Sequence, residues 1–212
     1  MKSKQIIYAG IFAFALVMVI GIIVMFVILK QYTTVLPQFK YHPDPIKTGE
    51  IIKRDTLCPV CNKKREYTYI GPFYSLEKES DGFCPWCIAS GAVARKYHGS
   101  FQVSEFCEEV ANKKFRDELL YRTPGYRAWL VGKWFSHCGD FCIYQGNVGW
   151  NDIKDLAGEL KDDIESIKKK AGLCQKEFEE SLAKEGWLEG HLFKCAKCGK
   201  YRLVAYTINE EY

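Results

Sequence analysis

The chain has 212 residues, a formal net charge of +4 and ten cysteines, with 48% hydrophobic and 15% aromatic residues. That length and composition fit one compact domain plus an appendage and exclude a low-complexity or disordered chain. The modest charge disfavours a nucleic-acid binder without excluding one.

The appendage comes first. From Ile6 to Leu29 every residue is apolar or small, a run of 24 positions that exceeds the ~20 needed to cross a bilayer as a helix. The run predicts a transmembrane anchor within residues 1–31. A cleaved signal peptide is the competing reading, but its apolar region spans ~7–15 residues before a small-x-small site, and here Leu29 leads into Lys30-Gln31-Tyr32. Lys2 and Lys4 on one side and Lys30, Lys40 and Lys47 on the other leave the orientation undecided. Cysteine usage decides it. Closely spaced thiol pairs bind metal in a reducing compartment, which predicts a single-pass membrane protein with a cytoplasmic C-terminal domain. Pro37, Pro43 and Pro45 mark residues 32–50 as an extended linker, and the folded domain is expected over residues 51–212.

The first cysteine set opens with Cys58-Pro-Val-Cys61, followed by the alternating run Glu66-Tyr-Thr-Tyr-Ile70 and the stop Gly71-Pro72. After 22 intervening residues, Cys84-Pro-Trp-Cys87 leads into a segment of helical composition from Ile88 to Lys96. A knuckle, a hairpin and a pair at a helix start predict a treble-clef or ribbon-like site with Cys58, Cys61, Cys84 and Cys87 as ligands, because four thiolates around Zn2+ are delivered in close pairs on tight turns. The sharp alternative is redox: Cys-Pro-Trp-Cys at a helix N-terminus also describes the active turn of thioredoxin-like enzymes. Such enzymes set it in a βαβ pattern, which is missing here.

Between Phe101 and Tyr121, Phe106, Cys107, Val110, Phe115 and Leu119 form an imperfect helical stripe behind a candidate cap, Ser104. Cys107 reads as a core residue. Thr123-Pro124-Gly125 predicts another short helix with Trp129, Leu130 and Trp134 inward. The stretch His137-Cys138-Gly-Asp-Phe-Cys142 supplies a C-x3-C pair that needs distant partners, and Cys195-Ala-Lys-Cys198-Gly199 ahead of the β-rich Tyr201–Tyr206 provides them. The second predicted ligand set is therefore Cys138, Cys142, Cys195 and Cys198, with His137 as the substitute ligand. Ile153, Leu156, Leu160, Ile164 and Ile167 recur at helical spacing, and beyond Gly172 the stripe reaches Cys174, Phe178 and Leu182. Cys174 reads as packing and His191 as a strand-edge residue. The expected architecture is thus α+β: knuckles with short hairpins, several helices and one N-terminal helix.

Several segments taken together resemble the bacterial CbrC family: Leu36-Pro-Gln-Phe-Lys-Tyr-His-Pro-Asp-Pro-Ile-Lys-Thr-Gly49, Phe83-Cys-Pro-Trp-Cys-Ile-Ala89, Arg122-Thr-Pro-Gly125, His137-Cys-Gly-Asp-Phe-Cys142 and Leu192-Phe-Lys-Cys-Ala-Lys-Cys-Gly-Lys200. The resemblance implies a role in colicin tolerance or toxin immunity and a protein partner, a toxin or envelope component. No catalytic residues come with it. The residues themselves show no nucleophile–base spacing and no glycine-rich phosphate loop. The combined expectation is a membrane-anchored interaction protein with two structural zinc sites and no enzymatic activity, the alternative being a thiol–disulfide oxidoreductase using Cys84 and Cys87.

Overall fold

The computed structural model describes residues 15–25, 35–77 and 82–208. The chain divides into two compact units, Met1–Pro37 and Gln38–Tyr212. In the first, residues 15–25 are helical (α1) with exposed side chains. Among the described residues no helix is long and apolar enough to cross a membrane; at 1.5 Å per residue, residues 15–25 cover ~16 Å of a ~30 Å hydrocarbon layer. This corrects the expected anchor over residues 6–29, and with it the single-pass localisation and the cytoplasmic orientation. Residues 6–14 and 26–29 lie outside the described residues.

The second unit is a mixed α+β fold with short hairpins and several helices. It begins earlier than its prolines indicate. Phe39, Tyr41, His42 and Glu50 are all buried, so the segment read as a linker up to residue 50 belongs to the core from Gln38 onward. Prolines forbid helix and strand interiors but not burial, and here the extended chain lets Tyr144 N–H donate to the Tyr41 carbonyl at 2.8 Å.

Strands β1 (Ile51–Leu57) and β2 (Lys64–Tyr69) form an antiparallel hairpin. Helices α2 (Pro85–Ala89) and α3 (Ala92–Tyr97) follow. They are two helices rather than one because Gly91 adopts the left-handed conformation (φ +69°) between them. A 3-10 turn at Ser104–Phe106 and α4 (Lys113–Arg122) replace the predicted long stripe, and the α4 cap is Asn112, whose Oδ1 accepts from Lys114 N–H at 3.0 Å. No helix forms over residues 124–133. Trp134 is fully buried and pairs with Cys107 in a parallel bridge, whereas Trp129 is exposed; tertiary pairing overrides the local Pro-Gly signal.

The two-residue strands β3 (Ser136–His137) and β4 (Asp140–Phe141) make a tight hairpin. Next come β5 (Ile143–Val148), α5 (Trp150–Ile153), a 3-10 turn, α6 (Lys161–Ala171), α7 (Gln175–Ser181), β6 (Leu182–Ala183), β7 (Leu188–Lys194) and β8 (Tyr201–Thr207). Strand β7 is the centre of the sheet: β8 runs antiparallel along it, and β5 (antiparallel) and β6 (parallel) pair with successive parts of it. His191 therefore lies in the most enclosed strand, fully buried, and not at an edge. Ile164 and Ile167 of α6 pack into the core that includes Leu203 and Ala205 of β8. A charge-assisted fork fixes the contact: Arg202 Nε donates to Asp163 Oδ2 at 3.0 Å and Leu203 N–H to the same oxygen at 2.9 Å. Cys174 is the exposed N-cap of α7 and not a packing residue.

Three buried clusters fill the unit. The first surrounds Cys58, Cys84 and Cys87 with Phe39, Tyr69, Phe83 and Phe101. The second is aromatic, centred on Tyr126, Trp134, Tyr144 and Phe193. The third is aliphatic and lies under α6 and α7.

Candidate metal centres

Both candidate centres begin with the same turn. At the end of β1, Cys58 N–H donates to the Lys63 carbonyl at 3.0 Å, and Asn62 N–H to the Cys58 carbonyl at 2.9 Å. At the end of β7, Cys195 N–H donates to the Lys200 carbonyl at 2.8 Å, and Gly199 N–H to the Cys195 carbonyl at 3.0 Å. Each turn needs a left-handed residue after its second cysteine: Asn62 (φ 54°) and Gly199 (φ 77°). Each closes an antiparallel hairpin, which fixes the spacing of its two thiols.

In the first centre, α2 supplies the other pair. Cys84 is the N-cap, Pro85 opens the helix, and Cys87 lies in its first turn. The Sγ atoms of Cys58, Cys61, Cys84 and Cys87 all lie within 4.8 Å of one another. Cys58 and Cys87 are 3.9 Å apart, as are Cys61 and Cys84. Sulfurs ~2.3 Å from a shared tetrahedral ion stand ~3.8 Å apart, while a disulfide requires ~2.05 Å. All ten cysteines are free thiols. The arrangement is therefore that of a four-thiol metal site. Hydrogen bonding between Cys58 and the Cys84 and Cys87 thiols lowers the Cys58 pKa and raises those of Cys84, to about 11, and of Cys87. Four thiolates this close repel one another, and a cation among them is what would let them ionise together.

In the second centre the partner element is the β3–β4 hairpin. Cys138 (φ 54°) and Gly139 (φ 75°) form its two-residue turn, both with the positive φ that a type I′ turn requires. That turn projects His137 and Cys138 toward the Cys195 knuckle. The donor atoms of His137, Cys138, Cys195 and Cys198 lie within 4.8 Å of one another. His137 Nδ1 is 3.2 Å from both Cys138 Sγ and Cys198 Sγ. Lys197 Nζ ties the two turns together by donating to the Cys138 carbonyl at 2.8 Å. Burial raises the Cys195 pKa, but the backbone N–H groups of Cys198 and Lys197 outweigh it and bring the thiol down to about 6, so the knuckle is built to hold a thiolate.

This centre corrects the predicted ligand set at one position. Cys142 is not a member. It is fully buried in the aromatic cluster, where its carbonyl accepts from Trp134 Nε1 at 2.9 Å, and burial pushes its thiol up to about 12. His137 takes its place. Of the remaining thiols, Cys107 packs against the same aromatic cluster and Cys174 is exposed.

The structure thus defines a mixed α+β protein with two cysteine-based clusters, each able to hold a metal ion. The chain belongs to the UPF0167 family: the model of this uncharacterised protein family matches residues 36–206. It is 36% identical to UPF0167 protein Mb2317 of Mycobacterium bovis and to UPF0167 protein MT2352 of Mycobacterium tuberculosis, over 81% of this chain and 92% of each relative. It is 37% identical to UPF0167 protein PA1536 of Pseudomonas aeruginosa, over 58% of this chain and 70% of that protein. No solved structure matches it. The matched span begins at residue 36, at the start of the Leu36–Gly49 segment, and takes in both clusters.

Proposed function

We propose that this protein is a structural zinc protein that binds two Zn2+ ions and acts through contact with a protein partner, without catalysis. The observation that carries the reading is the convergence of four donors at each centre: Cys58, Cys61, Cys84 and Cys87 at one, His137, Cys138, Cys195 and Cys198 at the other. Sulfur with at most one imidazole is the donor set of structural zinc, and four protein ligands leave no open position for water or substrate. The knuckle, hairpin and helix order at the first centre supports a treble-clef-like unit. The same convergence argues against the oxidoreductase alternative, because Cys84 and Cys87 are surrounded by two further thiols and Cys58 and Cys87 are both buried. The partner-binding part rests on the resemblance of the segments around Leu36, Cys84, His137 and Cys195 to the CbrC family, which makes a toxin-tolerance or immunity role the working form of the proposal.

Two measurements test the reading. Elemental analysis of protein purified under reducing conditions should give two zinc ions per chain, and a metal-free, disulfide-forming Cys84/Cys87 pair would end it. Bacteria expressing the chain should survive a colicin challenge that kills the control strain; equal killing removes the tolerance role and leaves the metal reading standing.

A further inference from the structure

Helices α3 and α4 border a cleft of about 710 Å3 that has Gly91 in its lining and no residue of either cluster. Pockets of ~300–1,000 Å3 hold small organic ligands. The lining carries three cations, Arg95, Lys113 and Arg122, and one carboxylate, Asp117. Lys113 is committed to Asp117 by a 2.8 Å ion pair. The two guanidinium groups converge. A β-carbon at Gly91 would lie 3.1 Å from Arg95 Nη1 and 3.5 Å from Arg122 Nε.

Arg95 has no carboxylate partner among the described residues, and Arg122 has only a long one. Arg95 Nη1 donates to the Ser90 carbonyl at 3.0 Å, and no carboxylate among the described residues lies within 4.0 Å of that guanidinium. Arg122 reaches Glu118 only at 4.0 Å. Gly91 makes the arrangement possible, since its left-handed backbone turns the chain from α2 into α3 and its missing side chain lets both arginines approach the same point. Two like charges held side by side repel, and an anion between them reverses that cost. Guanidinium groups pair with phosphate oxygens through parallel N–H···O bonds, a geometry an ammonium cannot offer. Tyr74 and Tyr121 add aromatic surface to the same lining, enough for a planar group.

We propose that this cleft binds an organic diphosphate of nucleotide size, its phosphates held between Arg95 and Arg122. None of the lining residues is a cluster ligand, so this site stands or falls independently of the zinc reading.

The test titrates inorganic pyrophosphate, ADP and citrate into the full-length protein by calorimetry at two salt concentrations. Pyrophosphate and ADP should both bind, more weakly at high salt, with ADP the tighter of the two. Replacing both arginines (Arg95→Gln with Arg122→Gln) should weaken pyrophosphate about tenfold or more, while metal content and melting temperature stay unchanged; the single variant Arg122→Gln should show part of the same loss. Citrate binding more tightly than pyrophosphate overturns the phosphate assignment. So does pyrophosphate binding that is undetectable below about 10 mM, or that is the same in the double variant.

Discussion

The two sulfur clusters start from one turn and end in different surroundings. At the first, the partner pair comes from a helix start, and Cys58, Cys84 and Cys87 are themselves members of the hydrophobic core. At the second, the partner pair comes from a hairpin tip. Cys138 and Cys198 are exposed there, while the core beneath is closed by stacked and edge-on aromatic rings such as Tyr126 with Tyr144 and Trp134 with Phe193. Equal ligand number therefore does not mean equal structural weight. In the first centre three of the four donors are core residues that a metal would hold in place, whereas in the second only Cys195 belongs to the core and a metal would tie it to donors that are exposed or half-buried.

The largest expected effect breaks the comparison open. Apparent binding free energies of structural zinc run to ~10–16 kcal/mol, as large as the ~5–15 kcal/mol that holds a domain folded. Cys84→Ser should therefore lose one ion and unfold the domain, seen as loss of near-ultraviolet circular dichroism. Cys198→Ser should also lose one ion yet keep a cooperative melt. A chelator added to the wild-type protein should withdraw metal in two phases, the faster one absent from Cys198→Ser. If both variants unfold alike, or release is a single phase, the two centres are equivalent and the distinction drawn from burial fails.

Much of this was legible in the sequence, and the exceptions have physical causes. The Cys-x-x-Cys pairs announce their own turns, and the alternation after Cys61 and Cys198 marks the returning strands. The choice between His137 and Cys142 could not be read from spacing. Spacing counts residues, whereas an extended strand advances ~3.3 Å per residue, so Cys142, beyond β4, is carried away from the hairpin tip and into the core. One local signal was available. Cys138-Gly139 and Cys198-Gly199 share a cysteine followed by glycine, the mark of a thiol at a tight turn, and Cys142 lacks it. The buried role of residues 38–50 was hidden for another reason: prolines removed the periodicity on which the reading depended, while the burial of Phe39, Tyr41 and His42 comes from contacts distant in sequence.

A smaller effect sharpens the comparison by reaching the fold without touching either cluster. His42 is fully buried; its Nδ1 donates to the Pro124 carbonyl at 3.0 Å, and its Nε2 lies 2.7 Å from Thr48 Oγ1. Burial lowers its pKa from 6.5 to about 4. Between those values the unfolded chain binds a proton that the folded one refuses, so this stabilisation is complete above pH 6.5 and is lost as the pH falls toward 4. The shift corresponds to about 3 kcal/mol. Burial lowers the His191 pKa as well, which adds in the same direction. Glu50 opposes both, because burial raises its carboxyl pKa and the folded state takes up that proton first as the pH falls. Urea unfolding across pH 7 to 4 should show the decline, and His42→Gln should flatten it. An unchanged slope in that variant would assign the acid sensitivity to the metal ligands instead.

The smallest effect decides the fourth ligand. Cys142→Ala removes one buried sulfur from the aromatic cluster, a loss comparable to one buried methylene, about 1 kcal/mol, and should leave the metal content at its wild-type value. His137→Ala removes an imidazole that is only half-buried and should cost the second centre its ion. The pair separates packing from ligation, since Cys142→Ala should shift the melt with the metal content unchanged, whereas His137→Ala should change the metal content. Metal loss in Cys142→Ala with retention in His137→Ala would show that the thiol swings out of the core to bind, and the second centre would then be a four-thiol site like the first.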